Sequence, residues 1–124
     1  MNLQQSITAA RVSGPQPEAD GSAVLEFRFP ASDPVFAGHF PNRPILPGVF
    51  QLEMAHIAAE LVLNQKLVVR EIAKARFQRP ILPDETVRLQ LKLSEKDGAI
   101  HARAGFSVNG QTAGETIMVL TKSC

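Results

Sequence analysis

The run over residues 49–63 constrains this chain most. It is the longest apolar stretch in the sequence, and only Gln51, Glu53, His56 and Glu60 interrupt it. Ala55, Ala58, Ala59, Leu61 and Leu63 are good helix formers. Val49, Leu52, Ile57 and Leu61 supply apolar contacts, and Met54, Ala58 and Val62 cover other sides. A helix apolar nearly all round belongs in a core, so the sequence predicts a buried helix wrapped by a sheet. Its polar interruptions make it a poor membrane span. Pro47 and Gly48 mark the join between this helix and a loop that begins near Phe36.

The rest of the chain supplies that sheet. Residues 3–12 read as a weak first strand carrying Ile7, Ala9 and Val12. Ser13, Gly14, Pro15 and residues 17–21 read as a loop rich in turn formers. Ala23, Leu25, Phe27 and Phe29 alternate with Val24, Glu26 and Arg28, the pattern of a half-buried strand ended by Pro30. Asp33 is placed to cap a short helical turn before Gly38. After the helix, residues 67–78 read as a strand with Arg70, Ile72, Lys74 and Arg76 on one face. Pro80, Pro83 and Asp84 make a corner. Val87, Leu89, Leu91 and Leu93 alternate with Arg88, Gln90 and Lys92, and Lys96-Asp97-Gly98 turns the chain back. Ile100, Ala102, Ala104, Phe106 and Val108 form the buried face of the next strand. Asn109-Gly110 is a strong two-residue hairpin signal into a last strand over 111–120. The layout is α+β, with one central helix, a curled antiparallel sheet and a three-strand meander at the end.

Composition narrows the function. A chain of 124 residues fits one domain, 1–124. A domain of this size buries roughly 65–70% of its unfolded surface, so it needs no metal or disulfide to hold a core. A net charge of +1 gives no bulk electrostatic case for nucleic acid. The one cysteine, Cys124, is the last residue and has no internal partner. With no charged-then-apolar pattern at the start, a reducing cytoplasm is the expected compartment.

One constellation carries chemistry. Glu53 sits early in an otherwise apolar helix, where a buried carboxylate is costly unless paired or neutralised. His39 lies in the loop feeding that helix, fourteen positions before Glu53. A histidine and a carboxyl group form a usable acid–base pair, though the spacing does not fix which chain's His39 meets which Glu53. Gly48 lets a ligand approach the backbone at the helix start, where unpaired amides and the helix dipole suit a developing oxyanion. Together they suggest proton abstraction next to a carbonyl. The plainer alternative is a loop histidine and a helix glutamate that both face water.

The segment G-H-F-P-N-R-P-I-L-P-G-V-F-Q-L-E, over residues 38–53, closely resembles the active-site segment of bacterial 3-hydroxyacyl-[acyl-carrier-protein] dehydratases of the FabA/FabZ type. That family carries G-H-F-P-x-x-P-I-x-P-G-V and an acidic residue fourteen after the histidine. Residues 74–85, K-A-R-F-Q-R-P-I-L-P-D-E, resemble the family's R-F-x-x-P-V-x-P-G-D, with Asp84 where the family usually has glycine. Ala113-Gly114-Glu115 resembles the A-x-E of its last strand. The family's H-R-Y-P-F-L-L-V-D-R-V segment is absent, and Ile57 replaces its usual glutamine. The resemblance implies a hotdog fold, no metal or cofactor, and a homodimer or trimer of dimers whose sites join His39 of one chain to Glu53 of the other. It implies that His39 takes the α-proton of a 3-hydroxyacyl thioester carried on acyl carrier protein, that the Gly48 amide holds the thioester oxygen, and that Glu53 helps the 3-hydroxyl leave. Phe40, Val49 and Leu52 are candidates to line the acyl cavity. Arg43 and Arg79 are candidates to dock the acidic carrier, although such cations are equally readable as a solvated face. No nucleic acid or membrane partner is expected.

Three other readings compete. Glu53-Met54-Ala55-His56 matches E-x-x-H, but a di-iron site needs two such motifs on a four-helix bundle, so His56 reads as a packing or interface residue. His101 falls on the polar face of a strand. A hotdog thioesterase would need a water activated at the thioester carbon, and the H-F-P…P-G pattern argues against it. A catalytically idle acyl-binding or scaffold domain is opposed by the presence of both His39 and Glu53.

Overall fold

The computed structural model describes residues 2–36 and 44–123. Among these residues two helices, α1 (Leu3–Ala10) and α2 (Gly48–Leu63), and a short 3-10 turn at Pro34–Phe36 accompany six strands. These are β1 (Arg11–Pro17), β2 (Ala23–Arg28), β3 (Leu67–Phe77), β4 (Thr86–Lys96), β5 (Ala99–Val108) and β6 (Gln111–Lys122). They form one antiparallel sheet in the order β1-β2-β4-β5-β6-β3.

The start of the chain corrects the sequence reading. Residues 3–10 are helical, and the strand begins only at Arg11. Asn2 opens α1 with a capping box. Its side chain accepts the Gln5 amide at 2.8 Å, and the Gln5 side chain accepts the Asn2 amide at 3.0 Å. Ser6, Ile7 and Ala10 fall on one face and are buried. β1 then occupies the stretch expected to be a loop. It is an edge strand, paired among the described residues only with β2, so Pro15 and Pro17 remove no bond from a central ladder. Two register shifts absorb its irregular segment.

The meander forms as expected. Asp97-Gly98 and Asn109-Gly110 both take positive φ at both positions (54° and 80°, 51° and 79°), the geometry that twists strands correctly through a two-residue hairpin. The inward faces of β4 and β5 are buried from Val87 to Leu91 and from Ile100 to Val108 at every second residue. Asp33 caps its short turn through the Val35 amide, at 2.9 Å.

α2 lies across this concave face. Phe50, Gln51, Met54, Ala55, Ala58 and Ala59 are buried against the sheet, and Phe50 meets Phe29 edge-on with centroids 5.8 Å apart. The expectation of burial all round does not hold for one chain. Val49 is 55% exposed, and Leu61, Val62 and Leu63 are exposed as well. The curl of a single sheet covers only one side of the helix. β3, the other edge strand, is exposed along most of its length, including Val68, Ile72 and Phe77. Its two register shifts, between Val69 and Glu71 and between Ile72 and Lys74, break the simple alternation read from the sequence.

Gly114 on β6 shows how tightly α2 meets the sheet. A Cβ there would stand 2.5 Å from Gln51 Oε1 and 2.8 Å from the Arg76 carbonyl oxygen. Gly105 on β5 has nothing among the described residues within 4 Å of the same position. Gly114→Ala is therefore expected to lower stability by about 1–3 kcal/mol through overpacking. Gly105→Ala should leave it unchanged or slightly raised. Urea unfolding of both variants checks the contrast.

Candidate active site

Helix α2 begins at an extended Pro47 that supplies no side-chain cap. The first amides of a helix have no partner within the helix itself, and Phe50 N–H turns back to the Pro47 carbonyl at 3.0 Å. The helix ends at Asn64 in the left-handed region, whose amide bonds the Glu60 carbonyl. Between these ends, Glu53, His56 and Glu60 share one stripe, as spacings of three and four residues dictate.

The stripe is closely engaged. His56 Nδ1 stands 3.2 Å from Glu53 Oε1, and Nε2 stands 3.3 Å from Glu60 Oε2. Their side chains are only 20% (Glu53), 15% (His56) and 17% (Glu60) exposed. Nε2 also meets the Leu67 carbonyl oxygen at 2.7 Å, while Glu60 Oε2 accepts the Leu67 amide at 2.8 Å. Both backbone groups of the first residue of β3 are thus held by α2 side chains. The Nδ1–Glu53 approach is close enough for an ion pair but out of line for a hydrogen bond, so Nδ1 is a buried nitrogen with no such partner among the described residues. This makes His56 a packing residue, as the sequence suggested, but one in contact with Glu53. The i,i+3 spacing was the signal for that contact. Among the described residues no group of three or more His, Cys, Asp or Glu side chains is arranged to hold a metal ion.

Gly48 has a neighbour that the sequence did not suggest. The Phe77 ring covers it, and a Cβ at Gly48 would stand 2.6 Å from the ring's Cε2. Packing of β3 on the helix start therefore accounts for the glycine without a ligand. Val49 beside it is exposed, and Leu52 is partly buried against the core. Gln51 and Thr116 are both buried, and the Oε1 of one and Oγ1 of the other find no hydrogen-bond partner among the described residues. His39, Phe40 and Arg43 lie outside the described residues.

The corner after β3 is held by charge. Arg79 Nη1 and Nη2 make a two-pronged bond to Glu85 at 3.0 and 2.8 Å, and Glu85 Oε1 also accepts the Leu82 amide at 2.8 Å. Arg79 Nε donates to Gln111 at 3.1 Å. The guanidinium bonds hold the Glu85 carboxyl below the usual carboxylate range against the opposing effect of burial, with a smaller contribution from the Leu82 amide. The charge read as a docking cation is thus already matched within the chain. On the outer face Arg70 donates to Thr121 at 2.8 Å, and Lys74 pairs with Glu115 at 3.3 Å.

Residues 15–116 match the family model for ApeI-like proteins, described as ApeI dehydratase. The chain belongs to the ApeI-like dehydratase family. A FabZ 3-hydroxyacyl-[acyl-carrier-protein] dehydratase of Haemophilus influenzae is 35% identical over 100 residues, covering 73% of this chain and 68% of that one. One from Solibacter usitatus is 34% identical over 93 residues, 68% of this chain and 57% of the relative. This chain thus spans little more than half the length of some of these relatives. Among solved structures, the dehydratase heterocomplex ApeI:P from Xenorhabdus doucetiae superimposes with a TM-score of 0.76 at 28% identity, covering 90% of this chain and 96% of that one. A probable thioesterase from Bartonella henselae reaches 0.65 at 15% identity, over 81% and 88% of the two chains, and shares the fold alone. The architecture is the hotdog fold.

One departure from the FabA/FabZ pattern has a local structural account. Asp84 replaces the glycine usual in the FabA/FabZ pattern, and it takes φ of 66°. Aspartate tolerates the left-handed region better than most residues. Here Arg28 holds it, bonding its carbonyl at 3.2 Å and its carboxylate at 3.3 Å.

The Glu85 bond has a pH signature. A carboxyl held below its ordinary range stabilises the fold at pH above that range, and the contribution is lost as pH falls through the lowered value. Glu85→Gln is expected to be less stable than the parent near neutrality, and the gap is expected to close on acidification. Urea midpoints across an acid pH series check this.

Proposed function

We propose that the chain removes water from (3R)-hydroxyacyl thioesters on acyl carrier protein, giving trans-2-enoyl thioesters in fatty-acid or related acyl-chain biosynthesis. One observation carries the reading. A carboxyl group, Glu53, is held four-fifths buried near a helix start whose N-cap residue, Pro47, supplies no side-chain cap, in a chain that has a histidine fourteen positions earlier. Dehydration needs a base at C2, charge stabilisation at the thioester oxygen and a proton for the departing hydroxyl. His39 takes the C2 proton, the Gly48 amide bonds the thioester oxygen, and Glu53 gives its proton to the C3 hydroxyl. The C2–H electron pair becomes the C2=C3 bond as the C3–O bond breaks and water leaves. Phe40, Val49 and Leu52 line the path of the acyl chain, and Val49, exposed beside the helix start, suits that role.

A second copy of the chain completes the site in this reading. The open edge of β3 and the uncovered side of α2 expose Val49, Ile72 and Phe77, and an unpaired apolar edge strand is a ready surface for pairing. A homodimer would bring His39 of one chain to Glu53 of its partner. The Xenorhabdus relative is described as a heterocomplex, which favours, as a second reading, pairing with a different chain of the same fold. Carrier docking at Arg43 and Arg79 would share the Arg79 charge with Glu85.

Substrate and product identify the activity together. Incubated with a 3-hydroxyacyl thioester, the protein should release water and give the enoyl absorbance. Free thiol would mean a thioesterase, and binding without turnover a scaffold. His39→Ala should lower the rate by about two to four orders of magnitude. Dehydration at the parent rate by that variant would contradict the assignment.

A further inference from the structure

His56 takes no part in the chemistry proposed above, yet its ring touches Glu53, Glu60 and the Leu67 backbone at once. Its hydrogen bonding can be assigned atom by atom. The Leu67 carbonyl only accepts, so Nε2, 2.7 Å away, carries a proton and donates it. Nδ1 is therefore the nitrogen that the backbone leaves undecided. It is buried without a hydrogen-bond partner among the described residues and stands 3.2 Å from Glu53 Oε1. With no proton on either, a nitrogen lone pair would face a carboxylate oxygen in a mostly dry setting, which is repulsive. One proton between them turns the same contact into an attraction.

We propose that His56 is the positioning residue for Glu53, sharing one proton with its carboxyl group through Nδ1. The proposal rests on the dehydration reading and adds a source for the proton that reading requires. The proton shared by Nδ1 and Glu53 leaves with the C3 hydroxyl as water. Solvent then returns one proton to the pair and takes from His39 the one removed from C2, so the cycle closes. Glu60 has a separate task. Its Oε2 accepts the Leu67 amide, which holds the far side of the ring against β3 and aims Nδ1 back along the helix toward Glu53.

A purely structural role would make His56 only a latch between α2 and β3, and His56→Gln separates the two. Glutamine places an amide nitrogen near the position of Nε2, where it can still donate to the Leu67 carbonyl, but puts nothing in place of Nδ1. The full-length variant should unfold at the parent's urea midpoint. Its kcat for a 3-hydroxyacyl thioester should fall about tenfold or more, with KM within about twofold. A folded His56→Gln protein with the parent's kcat overturns the proposal. If that variant does not fold, ¹⁵N spectra of the His56 ring decide. In the parent, the Nδ1 signal should lie between those of a bare and a protonated ring nitrogen, and in Glu53→Gln it should move to the bare position. An Nδ1 signal indifferent to Glu53→Gln overturns the proposal. Glu53→Gln also separates the layers. Full activity in that variant would remove Glu53 from the chemistry, and the dehydration roles with it. An inactive Glu53→Gln beside a fully active His56→Gln would remove only the role of His56.

Discussion

Everything about the site depends on how one sheet covers one side of α2. The alanines at 55, 58 and 59 let the helix settle closely onto the concave face, and Gly114 admits the Gln51 side chain where any Cβ would collide with it. That contact fixes the rotation of the helix. With the rotation fixed, Glu53, His56 and Glu60 project along the flank nearest the start of β3, and Val49 is left at the surface beside the helix start. The same packing that builds the core thus also sets the direction of Glu53. Loss of a few methyl groups' worth of contact there would cost about 2–5 kcal/mol, and it would also release the orientation of Glu53.

The electrostatics follow the same division. At the corner after β3, Arg79 and Glu85 satisfy each other and two neighbouring groups, so the charge is spent on holding the turn. On α2 the charges are arranged otherwise. Glu60 and the Nε2 side of His56 are committed to Leu67, whereas Glu53 and Nδ1 meet at close range without a settled hydrogen bond. A group whose partners are all internal supports the fold. A buried group left incompletely matched is where a substrate or a proton finds something to do.

Most of the sheet was legible in the sequence, because period-two alternation in β4 and β5 and the Asn109-Gly110 turn are local signals that the tertiary structure reinforces. The first helix was misread although its evidence was present. Ile7 and Ala10 sit three apart, and Asn2 with Gln5 forms a capping box, but the helix is short and few of its residues are apolar. β1 was misread because Gly14, Pro15 and Pro17 look like a loop, and only its place at the sheet edge makes them compatible with a strand. At the site, Glu53 was legible as a polar exception on an apolar helix. The filling of the space over Gly48 by Phe77 was not, since the two lie on different elements with nothing local to link them. Burial all round α2 was expected because the sequence reports the apolar surface of the helix but not how many chains share in covering it.

That uncovered surface leads to the central claim, that each chain supplies half of two sites, His39 to one and Glu53 to the other. Subunit complementation tests it most directly. His39→Ala and Glu53→Gln chains, each inactive alone, are unfolded, mixed and refolded together, and dehydration of a 3-hydroxyacyl thioester is measured. Every mixed dimer with shared sites contains one site with both native residues, so random pairing should restore about a quarter of the parent activity. A mixture that stays as inactive as its components, while gel filtration shows that mixed dimers have formed, would contradict the account.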